Sequence, residues 1–246
     1  MKQLLKRIIR HTPYRVIRKT HANRFGAIDE TLSSLVNRGF APKIIFDGGA
    51  NVGEFALLAR RIFGDEPEIH MFEPQPACAP ILEKLTQQRK LHFHAAALGS
   101  TPGQLLPFVV DPAGITTGAH VAPRANSHPS VMVPFVTLDS LFQSRLSSQD
   151  RAFLKLDLQG WELDALKGSI GTLPSIEVVL VEVSFFSQAY EPSIASIVSF
   201  FDDIEFDLYD IASLSGIQAN NRLHQADFVF LNRKSCLRPY KFRQFL

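Results

Sequence analysis

The chain has 246 residues, 46% of them hydrophobic and 20% charged, with a net charge of +2. Those fractions belong to an ordinary globular protein with one full core, and they exclude collagen-like, low-complexity and disordered chains. Two cysteines, Cys78 and Cys236, exclude a disulfide scaffold and offer no metal-ligand spacing.

The charge is uneven along the chain. Residues 1–28 hold eight Lys/Arg and no acid, and the remainder holds 18 basic against 24 acidic residues. Within residues 1–10, Leu4, Leu5, Ile8 and Ile9 fall on one face of a short basic helix. Such a helix can pack on its own domain, which is the plainest reading. It can also meet a second subunit, an anionic substrate or an anionic membrane surface. No recognition motif accompanies the acidic body, so nucleic acid is not an expected partner. No apolar run approaches the roughly 20 residues of a membrane span. The N-terminus lacks the continuous apolar core of a signal peptide, so the expected compartment is the cytosol, with membrane association through residues 1–24 left open.

A second helix is predicted over 28–38, from Ile28, Leu32, Leu35 and Val36, stopped by Gly39 and Pro42. The expected division is a helical extension at 1–40 and an α/β domain at 41–246. From Lys43 the rhythm is strand, turn, helix. Lys43–Phe46 is a short apolar run of the kind buried on both faces of a parallel sheet. A helix follows, with Val52, Phe55, Ala56, Ala59 and Phe63 at helical spacing. Further strands are expected at Glu68–Phe72, Leu91–His94, Leu105–Val110, Val131–Val136, Phe153–Leu156, Val178–Val183, Phe206–Ile211 and Asp227–Leu231. Helices are expected in 76–87, starting late because of Pro80, across 161–167, and over 193–201 with Ser193 as N-cap. The alternation implies a Rossmann-like, doubly wound, mostly parallel seven-stranded sheet. Residues 111–130, rich in Gly, Pro and Ala, read as a loop over the site.

The strongest chemical signal is Asp47-Gly48-Gly49-Ala50-Asn51-Val52-Gly53 between the first strand and its helix. Ligands of open α/β sheets bind outside the carboxyl ends of the strands. A glycine-rich turn there lets a cofactor approach the backbone, or simply makes a tight connection with positive φ. Glu73 stands directly after the second strand, where an acid can accept both hydroxyls of a ribose. It could equally be a solvated strand-end charge. The dinucleotide pattern G-x-G-x-x-G is broken. Asp47 opens a D-x-G-x-x-x-G run instead, and an acid at that mouth opposes a pyrophosphate. Asp47 suits the amino-acid moiety of a nucleoside cofactor, through its ammonium or a water. A nicotinamide-dependent oxidoreductase and a non-catalytic cofactor-binding module are the competing classes.

A second block is Lys155-Leu156-Asp157-Leu158-Gln159-Gly160-Trp161-Glu162. Asp157 ends a central strand beside the glycine turn, or caps the following helix. Glu162 sits where it would favour that helix's dipole. Trp161 is core packing or a wall for substrate. Glu182 ends the next buried strand, pointing to substrate or paired structurally. His120 lies in the 111–130 loop and is a possible base near neutral pH, while His128 reads as a loop residue without a role. His92 and His94 read as packed or edge residues, and Cys78 as a small buried side chain. No metal set is legible, although Asp157 and Glu182 could share a divalent ion.

Ordered motifs connect these blocks: FDGGANVGEF at 46–55, FEPQP at 72–76, AALG at 96–99, VTLDSL at 136–141, KLDLQGWELDALKG at 155–168 and VEV at 181–183. With them the chain resembles the FkbM family of class I S-adenosylmethionine-dependent methyltransferases, from about Ile44 to Glu182. The resemblance implies that Asp47, Gly48, Gly49, Asn51 and Gly53 border the methionine end of S-adenosyl-L-methionine. It implies that Glu73 binds the ribose, and that Ala96 and Ala97 leave room for the adenine. The family commonly has a second acid where this chain has Gln159, which can orient a substrate hydroxyl but not take its proton. The expected reaction is O-methylation of a hydroxyl on a sugar, glycan or polyketide-like small molecule. Asp157 is the first proton acceptor, His120 the second, and Gln159 and Glu182 contact the substrate.

Overall fold

The computed structural model describes residues 28–110, 120–121, 130–185, 192–215 and 223–238. The basic helix expected at 1–10, and His128, lie outside the described residues. The first half of the chain runs α1 (Ile28–Asn37), β1 (Ile44–Gly48), α2 (Glu54–Phe63), β2 (Glu68–Phe72), α3 (Ala79–Leu85), β3 (Leu91–His94), β4 (Ala97–Leu98), β5 (Leu105–Val109) and β6 (His120–Val121). The second half runs β7 (Ser130–Val136), α4 (Leu138–Phe142), β8 (Ala152–Leu156), α5 (Glu162–Lys167), β9 (Ile176–Ser184), α6 (Ile194–Asp203), β10 (Phe206–Ser215) and β11 (Gln225–Asn232).

Seven strands form one sheet in the order β10-β11-β9-β8-β1-β2-β3. β11 runs antiparallel to both of its neighbours, and the remaining pairs are parallel. Strand order reverses between β1 and β8, the switch point at which α/β sheets open a crevice.

Why the strands read as unbroken apolar runs is visible in the core. Alternate residues leave a strand on opposite faces, and here both faces are covered. Phe46, Leu154, Leu156, Val179 and Val181 pack on one side against Leu138 and Phe142 of α4, Leu166 of α5 and Phe201 of α6. Ile45, Phe153, Val178, Leu180 and Ile69 pack on the other against Ala56 and Ala59 of α2, Leu82 of α3, and Leu32 and Leu35 of α1. α1 thus shares the core of the α/β unit. Phe201 stacks on Phe230 at 3.9 Å between centroids. Fully burying one such side chain stabilises by about 1.5–3 kcal/mol.

Caps follow the sequence closely. Ser193 accepts from the Ser196 N–H at the start of α6, and Thr137 accepts from the Ser140 N–H at the start of α4. Gly64 ends α2 at φ +77°. α3 begins only at Ala79, with Pro80 in its first turn, where a missing N–H costs nothing.

A smaller sheet, β4-β7-β5-β6, was not expected as a unit. Its core is Ala97, Phe108, Val121, Val133 and Phe135, with Trp161 packed against it. β6 falls inside the stretch read as a loop and pairs antiparallel with β5, His120 beside Val109. This small sheet forms one wall over the switch point.

Candidate functional site

β1 delivers its backbone into a turn that only glycine tolerates at two places. Gly49 has φ +73°, and a Cβ there would lie 1.9 Å from the carbonyl oxygen of Asp157. Gly53 has φ +85°, and a Cβ would lie 2.4 Å from Leu85 of α3. These glycines are therefore required by the protein's own packing. Asn51, at φ +46°, makes the bend between them. The Asp157 N–H donates to Gly48 O at 3.2 Å, so the turn and the end of β8 form one backbone unit.

Glu73 is buried at the end of β2. One carboxylate oxygen accepts from the Asn51 N–H at 2.8 Å, and the other from the Gln75 N–H at 2.9 Å. Burial pushes its pKa up, and these two N–H bonds oppose that. A carboxylate has about four acceptor positions, so positions remain for further donors on the open side.

That open side is a cleft shared by the glycine turn and the end of β8. Gly49, Asn51, Glu73, Gln75, Asp157, Gln159 and Trp161 line it. Phe72, Ala97, Leu98, Phe108, Val121 and Leu158 complete the apolar walls. Of the sequence-derived site residues, Gly49, Asn51, Glu73, Ala97, Asp157 and Gln159 come together here. Gly48, Gly53 and Ala96 support the turns behind the cleft. Trp161 is both wall and core, 6.2 Å edge-on from Phe135. The side chain of His120 lies outside what is described.

Asp47 stands apart from the lining. It is fully buried, and its carboxylate pairs with the Lys155 ammonium at 3.1 Å. Sequence reasoning gave Lys155 no role, because a lysine in a strand reads as a solvated edge. Yet Lys155 is buried and donates to Gly48 O at 3.1 Å and Gly49 O at 2.8 Å. Burial works against its charge, and Asp47 and Asp157 more than offset that, holding its pKa above the usual lysine value. It ties β8 to the glycine turn.

Asp157 is 39% exposed and reaches the cleft, with Lys155 3.8 Å from one oxygen. Gln159 donates from one nitrogen to Asp157 at 2.8 Å and to Glu182 at 3.1 Å. That nitrogen is thus committed to two carboxyl groups, which leaves less of Gln159 to orient a substrate. Glu182 sits behind it, not among the lining residues, and also accepts from Gln225 at 2.9 Å. Burial pushes the Glu182 carboxyl up to about 9, helped by Asp157, Glu162 and Asp227, so it carries a proton at neutral pH. Asp227 is its neighbour across β11 in the ladder and was not foreseen. Its carboxyl is also raised by burial.

Glu162 stands in the first turn of α5, where an acid favours the helix dipole. It is buried, and its side chain accepts from the N–H groups of Leu158 at 2.7 Å and Gly160 at 3.2 Å. It holds the loop that carries Gln159, whose φ is +53°. Burial raises its pKa to about 7.

A mostly parallel sheet with a cleft at its switch point, lined by a glycine turn and by a buried acid at the end of the next strand, defines a ligand-binding α/β domain. Residues 47–208 match the model of the methyltransferase FkbM domain, so the chain belongs to the FkbM methyltransferase family. No curated protein matches it significantly. Among solved structures it is similar to an FkbM methyltransferase from Methylobacillus flagellatus, at 15% identity and a TM-score of 0.47, over 76% of this chain and 43% of that one. This chain thus spans less than half of that relative's length. It is similar to Aeropyrum pernix fibrillarin in complex with S-adenosyl-L-methionine, at 11% identity and a TM-score of 0.45, over 82% and 74% of the two chains. It is also similar to the Burkholderia thailandensis 1,6-didemethyltoxoflavin-N1-methyltransferase with S-adenosylhomocysteine, at 10% identity and a TM-score of 0.45, over 84% and 79%. At these identities none assigns a substrate.

Proposed function

We propose that this methyltransferase uses S-adenosyl-L-methionine to O-methylate a hydroxyl on a sugar, glycan or polyketide-like small molecule. One observation carries the reading: Glu73, fixed by two backbone N–H bonds, and Asp157, held by Gln159 and Lys155, line the same cleft. Glu73 would hold the ribose hydroxyls, Ala97, Leu98 and Phe72 the adenine edge, and the turn at Gly49 and Asn51 the methionine end. Asp47 acts one step back, through Lys155, by fixing that turn. The cofactor, when bound, supplies an already activated methyl group.

What remains for the protein is alignment and proton removal. Holding two reactants in line removes much of the entropic barrier. An alcohol acceptor must also lose its proton, and a carboxylate within hydrogen-bond reach can take it. Asp157 reaches the cleft and is the proposed acceptor of that proton. Glu182, protonated at neutral pH, keeps a second negative charge from forming behind it. Trp161, Phe108 and Val121 exclude water from the same space. Turnover of labelled S-adenosylmethionine against a panel of hydroxylated acceptors, with calorimetry for the demethylated cofactor and for NAD, tests the reading. Tight NAD binding with silence toward S-adenosylmethionine would overturn the cofactor assignment. Methyl transfer to nitrogen alone would overturn the acceptor class.

A further inference from the structure

Away from the cleft, on the outer strands of the sheet, lies a second cluster that methyl transfer does not use. β2 and β3 run parallel with His70 beside His92. Glu68 is two residues before His70 and so shares its face. One ligand atom from each of Glu68, His70 and His92 falls within 4.8 Å of the others. We propose that these three side chains form a binding site for a divalent cation of the zinc class.

The observation that points to a ligand is His70 Nε2. His70 is 5% exposed, and Nε2 is buried with no hydrogen-bond partner among the described residues. Glu68 lies 3.7 Å from it, beyond hydrogen-bond range. Nδ1 of the same ring is engaged at 3.1 Å by Nε2 of His94. With the shared proton on His70 Nδ1, Nε2 keeps a free lone pair; the His92 ring stacks on His70 at 4.6 Å and must turn to offer a nitrogen beside it. Metal-bound histidines commonly donate their other ring N–H to such a partner, which fixes ring orientation. His94 therefore serves as the orienting group and not as a ligand.

The donor set selects the ion. Two imidazoles and one carboxylate suit zinc and its neighbours, whereas magnesium and calcium take oxygen. Zinc bonds of about 2.0–2.2 Å require ligand atoms closer together than 4.8 Å. Glu68 is half-exposed and His92 is exposed, so their rotamers can close that gap while buried His70 stays fixed. The charged groups facing His70 are Glu68 and Arg145, with His92 and His94 beside it. Glu68 thus supplies the negative charge that offsets Arg145. A bound ion would staple the edge strand β3 to β2. His94 stacks on Phe72 of the cleft wall at 4.4 Å, so the staple would also firm the floor of that wall.

The test uses the full chain, stripped with a chelator and titrated calorimetrically with Zn²⁺, then with Mg²⁺. One equivalent of Zn²⁺ with micromolar or tighter affinity is expected, with Mg²⁺ silent. At a hundredfold excess over Kd the melting temperature should rise by about 5 °C. Glu68→Gln and His92→Ala should each weaken Zn²⁺ binding at least tenfold. Both positions are at the surface, so their melting temperatures in chelator should match the parent. Binding of demethylated cofactor by these variants should be unchanged, which separates this site from the cleft. Absence of Zn²⁺ binding, equal Mg²⁺ binding, or unchanged affinity in both variants would overturn the proposal.

Discussion

The two carboxyl groups that line the cleft stand in different company. Around Glu73 one carboxylate meets two backbone N–H groups, which oppose the rise in pKa that burial causes. Around Asp157, by contrast, Asp47, Asp157 and Asp227 act on the buried cation Lys155, and Glu162 and Glu182 add two further acids beside Asp157. One cation cannot answer five acids, and the surplus is met by holding protons, about 9 for Glu182 and about 7 for Glu162. In the proposed reading the ribose would be held at Glu73, and the proton taken at Asp157 inside the titratable cluster.

The sharpest way to break this comparison is Asp157→Asn. Asparagine keeps an oxygen for Gln159 but cannot take a proton. Turnover should fall by about 10²–10⁴-fold with cofactor affinity nearly unchanged. Steady-state rates alongside calorimetry check it, and full turnover across pH would make Asp157 structural.

Lys155→Met comes next. It leaves Asp47 buried without its cation, at a cost of about 3–5 kcal/mol. Denaturant unfolding reads this directly. The double variant with Asp47→Asn should recover part of the loss, because no uncompensated charge remains.

Glu73→Ala should weaken cofactor binding by about 2 kcal/mol, from charge-assisted bonds of about 1.5–3 kcal/mol each. The structure adds a stability loss of about 1–3 kcal/mol, since the N–H groups of Asn51 and Gln75 lose their acceptor. Unchanged unfolding would mean that water replaces the carboxylate.

The last test concerns pH. Glu182 titrates near 9 when folded and near 4.5 when unfolded, so the folded state binds more protons between those values. Stability should therefore fall as pH rises from about 5 to about 9. For one group held fully in that window the slope is about 1.4 kcal/mol per pH unit. Glu182→Gln removes the titration and keeps an oxygen for Gln159 and Gln225, so the slope should flatten. An identical pH profile would show the acid to be elsewhere.

What was legible in the sequence follows the same division. The strands could be read because both faces are buried, which writes apolar residues at most positions of β1, β8 and β9. The surroundings of Glu73 were legible because their residues are local to two turns, each with a short motif. β4 escaped because it has two residues and pairs through distant β7. The cluster around Asp157 was only half legible. Lys155, Glu182 and Asp227 come from three strands, and only the ladder register brings Asp227 beside Glu182. The hold of Glu162 on Leu158 and Gly160 was not legible, because no local pattern reveals a side chain that folds back onto its own loop.

The contact between Gly49 and the carbonyl of Asp157 has a consequence for how this enzyme can diversify. With no room even for a methyl group between them, the backbone that cradles a methyl donor and the backbone that carries the proton acceptor behave as one machined part. The gauge between donor and acceptor is set there, and a change of acceptor size cannot be absorbed by opening it. Latitude must come from the facing wall, where Phe108 and Val121 stand on the small sheet. Lineages that switch acceptor should therefore edit that wall and leave the gauge alone.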